Sequence, residues 1–144
     1  MPDKPQSLQN HARFDPPFHF FIIPVMAINA VTSIVIAVRH PSAMTVWSVL
    51  VAFALLAGMF KIRLYALRNQ DRLIRLEEQV RMQTVLPEAL RSRAGELTVQ
   101  QCVGLRFACD AELPALVERA LRENLEKKQI KQAVQTWRPD YHRI

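Results

Sequence analysis

Four groups of side chains in this 144-residue sequence have the types and spacing to do chemistry. His11, Arg13, Asp15 and His19 fall close together ahead of a long apolar run. Two imidazoles beside a guanidinium and a carboxylate suit a polar interface site for a lipid phosphate or a proton. Anchoring at lipid headgroups asks less of the same residues and explains them equally well. Asn29, Thr32 and Ser33 lie inside the apolar run, Asn29 and Ser33 one helical turn apart. Polar groups in hydrocarbon turn toward another helix, so an interhelical hydrogen-bonded contact is the plain expectation. Pore lining in an oligomer is the sharper alternative. Cys102 and Cys109 share a helix face if one helix runs through both. With no histidine nearby they make a poor zinc site, and buried small apolar residues are the simpler reading.

The fourth group is basic: Lys61, Arg63, Arg68, Arg72 and Arg75 follow the second apolar run directly. Such a stripe attracts anionic headgroups by about 1 kcal/mol per charge, and it also fixes topology. Lys127, Lys128, Lys131, Arg138, His142 and Arg143 make the C-terminal end basic too. Only Trp137 and Tyr141 are interleaved with them, so no nucleic-acid partner is expected. Membrane attachment accounts for a pI of about 9.9. There is no nucleophile elbow, phosphate loop, HExxH or paired Cys/His set. Gly58, Gly95 and Gly104 are too scattered for a phosphate cradle. The expectation is a non-enzymatic chain with no catalytic residue, cofactor or metal.

The elements that must position these groups are easier to read. Residues 18–38 and 44–60 are apolar runs without a Lys, Arg, Asp or Glu. As a helix the first spans roughly 31 Å, which matches a hydrocarbon core of about 30 Å. The second is at the short end of the range and extends through Ile62, Leu64 and Leu67, with Lys61 and Arg63 snorkelling. The mean hydropathy of +0.01 averages two unlike halves. Residues 61–144 hold 16 of the 19 Lys and Arg and 11 of the 13 Asp and Glu. A cleaved signal peptide fits poorly, because the first run is too long and no small-x-small site precedes Arg39-His40-Pro41. A soluble protein fits poorly as well, since the 84 residues after the runs are too few to cover them.

Orientation follows the basic residues near the ends of the spans. Lys4 and Arg13 precede the first span, and five more follow the second. Only Arg39 lies in the turn between them. The short turn, with Pro41 and Ser42, therefore points outward and both termini face the cytoplasm. The second helix is expected to continue past the membrane to about residue 84. Ala52, Leu55, Met59, Ile62, Ala66, Asn69, Leu73, Leu76 and Val80 recur at alternating three- and four-residue steps. Such a stripe needs a partner: a second copy, the tail folded back, or another protein. Asn69 at a seam position could set register, or be a solvated residue. Asp71 with Arg75 and Glu77 with Arg81 have the spacing of supporting ion pairs.

The remainder reads as short helices with no strand pattern. Pro87 and Glu88 open one that ends at Gly95, and Thr98 with Gln101 forms a capping box for the next. Asp110 suits the cap of a helix running through Glu123. A last helix, about 126–136, turns Ile130, Ala133, Val134 and Trp137 inward. The expected organisation is an irregular arm at 1–17, a two-helix transmembrane hairpin at 18–60 (helices 18–38 and 43–60), an amphipathic cytoplasmic extension at 61–84, and a helical C-terminal domain at 85–144. The fold class is all-α.

Several stretches carry a resemblance over nearly the whole length. They are Asn10-His11-Ala12-Arg13, Phe18-His19-Phe20-Phe21, the run from Asp71 to Glu78, Leu86-Pro87-Glu88-Ala89-Leu90, Gly95-Glu96-Leu97-Thr98, Leu113-Pro114-Ala115-Leu116-Val117 and Trp137-Arg138-Pro139-Asp140-Tyr141. The chain resembles a family of small bacterial two-span membrane proteins described only as a domain of unknown function. The resemblance implies a bacterial inner-membrane protein and supports the hairpin. It brings no activity with it and no catalytic residue to transfer. The function expected is a membrane-anchored interaction or assembly module, most simply a homo-oligomer. The alternatives are a small oligomeric channel or transport accessory, and an accessory subunit of a larger membrane complex.

Overall fold

The computed structural model describes residues 7–8 and 15–140, and these are all-helical apart from turns and one isolated β-bridge. The elements run α1 (Ile23–Arg39), α2 (Ala43–Val85), α3 (Glu88–Arg91), α4 (Val99–Leu105), α5 (Leu113–Glu123) and α6 (Lys127–Ala133). A π-helical turn, Pro17–Ile22, leads into α1, and a 3₁₀ turn, Ala94–Glu96, precedes α4. The residues fall into two compact units, one of them Phe14–Leu67 and the other built around Arg68–Ile144.

The first unit contains the two apolar runs. The stretches Pro17–Arg39 and Ala43–Val85 are each long and apolar enough to cross a membrane. Pro24 lies in the first turn of α1, where a missing N–H costs little. The backbone adjustment sits just ahead of it, in the π-helical turn. Between the helices, Ser42 and Thr45 cap the start of α2. The Ser42 N–H donates to Thr45 Oγ1 at 3.0 Å and the Thr45 N–H to Ser42 Oγ at 3.1 Å. Ala30 and Ser33 are the buried residues of α1, and Ala52 is buried on α2.

The second unit has its own core. Met82 and Leu86, at the end of α2, are fully buried with Leu105, Phe107, Leu113, Val117 and Ile130. The C-terminal helices thus close around the end of the long helix. Thr98 and Gln101 form the expected capping box at α4, and Gln101 Nε2 also donates to the Leu125 carbonyl at 3.2 Å. A second capping box, Glu126 with Gln129, opens α6. Asn124 ends α5 in the left-handed conformation at φ 48°.

Three local expectations are corrected. The final helix stops at Ala133, not near residue 136: Val134 is extended, and the chain beyond it forms a bridge in which Trp137 pairs with Ala108. The Arg138 N–H donates to the Phe107 carbonyl at 2.7 Å, and Trp137 packs on Phe107 with centroids 4.8 Å apart. Asp110 does not cap α5. Glu112 occupies that position, and its carboxylate accepts from the N–H groups of Cys109, Gln135 and Thr136. Cys102 and Cys109 share no helix, because α4 ends at Leu105; both are free thiols.

Candidate functional site

Within the second unit, α2 is amphipathic in an unexpected sense. Ile74, Glu78 and Met82, one turn apart, form the face packed into the tail. Leu73, Leu76 and Val80 form another face and remain 56%, 58% and 62% exposed. Asn69 is exposed with them. Among the described residues the tail does not cover this part of the stripe. In the other unit Ile62 is exposed and Ala66 half-buried, while Ala52 is buried.

The supporting ion pairs are also rearranged. Asp71 accepts from Gln100 Nε2 at 3.2 Å, and Arg81 turns to Glu78 instead of Glu77. Glu78 is only 4% exposed. Its carboxylate meets Arg81 at 3.0 Å and Arg138 at 3.5 Å. Arg81 also donates to the Ala108 carbonyl at 2.8 Å. Arg106, buried over the Phe107 ring, pairs with Asp140 at 3.3 Å. These side chains line a cleft of about 430 Å³. The three arginines pair there with the carboxylates of Glu78 and Asp140, and the cleft reads as a clasp. Burial raises the Glu78 carboxyl above its ordinary value, against the opposing pull of Arg81, Arg138 and Arg106. Sequence alone does not separate Glu78 from its exposed neighbour Glu77. The four-residue step from Ile74 through Glu78 to Met82 puts it on one face, but nothing local marks that face as the covered one.

The basic stripe is divided. Lys61, Arg68 and Arg72 are exposed, whereas Arg63 and Arg75 are half-buried. The Nε of Arg75 is enclosed without a hydrogen-bond partner. Arg63 sits 5.3 Å above the Phe18 ring and 3.7 Å from the Asp15 carboxylate. His19 joins this group: its Nδ1 lies 2.7 Å from the Asp15 carbonyl and its ring meets Phe18 edge-on. His11 and Arg13 lie outside the described residues. Among the polar residues of α1, Ser33 is buried, while Asn29 and Thr32 are exposed. Among the described residues no group of three or more His, Cys, Asp or Glu is placed to hold a metal ion.

A Family of unknown function (DUF6526) matches the chain over residues 1–144. The chain belongs to that family. No curated protein and no solved structure matches it. The DUF6526 assignment agrees with the resemblance carried by the Asp71–Glu78 run and the Trp137-Arg138-Pro139-Asp140 segment. The fold in which these stretches sit is now visible. The first run supplies the face of α2 that meets the tail, and the second supplies the segment pinned across residues 107–109.

Proposed function

We propose that this protein is a non-enzymatic assembly module of the bacterial cytoplasmic membrane, acting through the helices beyond the bilayer. In this reading the two apolar helices cross the membrane and both termini face the cytoplasm, as the seven-to-one bias of basic residues favours. The exposed cations Lys61, Arg68 and Arg72 meet anionic headgroups. The single observation that carries the reading is the uncovered face of Leu73, Leu76 and Val80 on a helix whose other face is packed. Three large aliphatic side chains in a row at the surface mark a contact site. A second copy of the chain is the simplest partner, with Asn69 setting register.

The test is cross-linking in membranes and mass measurement in mild detergent. Wild type should form a defined oligomer; Leu73→Asp and Leu76→Asp should leave membrane insertion intact and abolish it. An identical oligomer in all three would remove this face as the seam. Co-purification of a different protein in fixed ratio would favour an accessory-subunit role.

A channel or transport accessory is the second reading, favoured by the exposure of Asn29 and Thr32 within the first span. Polar side chains facing outward in hydrocarbon seek another helix or a water-filled path. Reconstituted protein that passes no ion or solute above background would eliminate it.

A further inference from the structure

We propose that a groove beside Gly58, in the first unit, holds one acyl chain of an anionic phospholipid whose phosphate rests on Arg63. The proposal deepens the lipid contact above, and it rests on the reading that the apolar helices cross a bilayer.

The groove has about 450 Å³ and is lined by Phe18, Ile22, Leu55, Gly58, Met59 and Arg63, among others. Its wall is almost wholly apolar, with one cation. Gly58 interrupts a helix at a cost of roughly 1 kcal/mol relative to alanine. In membrane helices glycine ordinarily lets a neighbouring backbone approach. Here a Cβ at Gly58 would meet nothing within 4 Å. Among the described residues its missing side chain therefore serves no contact, and it leaves open space.

Size and charge indicate what that is. Spread along the roughly 18 Å of helix from Ala54 to Ala66, the volume leaves a cross-section of about 25 Å². A single methylene chain fits that section. A helix about 10 Å across with its side chains could lie only along the open side, not within it. Arg63 marks the head end. Its ion pair with Asp15 is long, at 3.7 Å, and among the described residues its guanidinium otherwise lies over the Phe18 ring. A planar guanidinium has five N–H donors, so it keeps donors for a phosphate. Apolar trough and single cation together describe an amphiphile with an anionic head.

The experiment uses the full chain, reconstituted in nanodiscs of equal phosphatidylglycerol and phosphatidylcholine, then transferred to mild detergent for native mass measurement of retained lipid. Wild type should retain one phosphatidylglycerol per chain, about fivefold over phosphatidylcholine. Arg63→Gln should erase that preference. Gly58→Leu, which fills the groove with a better helix former, should lose both lipids. Asp15→Asn removes the competing charge but keeps an oxygen for the Phe18 N–H, and should strengthen retention. Unchanged retention in Gly58→Leu, or no preference in wild type, overturns the proposal. So does a Gly58→Leu variant that keeps its lipid but changes subunit number, which would give the groove to a second copy. Failure of the membrane reading shows separately, as recovery of the chain in an aqueous fraction before any lipid is scored.

Discussion

Arg81 and Asp110 are joined across 29 positions of sequence, Arg81 Nε donating to the Asp110 carboxylate at 2.8 Å. The same guanidinium holds Glu78 on its own helix. Arg81 is thus the point at which the end of α2 is fastened to the segment that leads into α5. Replacing it leaves the buried Glu78 with the longer Arg138 contact and the more distant charge of Arg106. Breaking a fully enclosed pair costs about 3–5 kcal/mol. Because Asp110 is largely exposed, Arg81→Ala should destabilise the C-terminal unit by about 2–3 kcal/mol. Denaturant unfolding followed by Trp137 fluorescence measures this; a loss below about 0.5 kcal/mol, ordinary for a surface change, would contradict the clasp.

Glu78 should also give the C-terminal unit a pH dependence of definite sign. Burial lifts its carboxyl above 4.5 in the folded protein, so the native state holds that proton more readily than the unfolded chain. The resulting stabilisation is complete below the unfolded value of about 4.5 and is lost as pH rises through the raised folded value. Stability should therefore fall across that window and then level off for this group. Glu78→Gln should flatten the fall. An equal slope in wild type and variant, measured from pH 4 to 7, would assign the dependence elsewhere.

How much of this was readable beforehand depends on the range of the interactions. The two long apolar helices, the capping box at Thr98 and Gln101 and the limit of α5 at Glu123 are local patterns, visible within one or two turns. The docking of the tail on Ile74, Glu78 and Met82 is not local. The residues on the α2 stripe and those on its packed face carry similar apolar content, and only long-range contacts decide which is covered. Trp137 shows the same limit. Its spacing continues a helical face, but backbone hydrogen bonds to residues 107 and 109 draw that segment out of the helix. The groove at Gly58 was not legible either, because a sequence cannot show that a glycine faces empty space.

The cysteines should differ sharply in reactivity. Cys102 is fully buried, and burial pushes its thiol up to about 11. At pH 8 about one molecule in a thousand carries the reactive thiolate there. Cys109 is half-buried, between α4 and α5. Alkylation of the native protein should modify Cys109 first and leave Cys102 protected until denaturant is added. Equal labelling rates at the two sites would show that the core opens around α4.

Gly104 gives the most direct test of the tail's packing. A Cβ there would lie 3.0 Å from both Cβ and Cγ2 of Ile130 and 3.3 Å from the Lys127 carbonyl oxygen. Ile130 is fully buried and β-branched, and the oxygen belongs to the backbone, so neither can swing aside as a long flexible side chain would. The close approach of α4 to α6 requires glycine at this position. Gly104→Ala gains helix propensity of up to about 1 kcal/mol, yet overpacking costs about 1–3 kcal/mol. With the full propensity gain the net effect should be a loss of up to about 2 kcal/mol. Gly95→Ala is the control, since a Cβ there meets nothing within 4 Å. Thermal unfolding of the two variants separates steric from backbone effects. If Gly104→Ala is as stable as Gly95→Ala, α4 and α6 do not pack as closely as described.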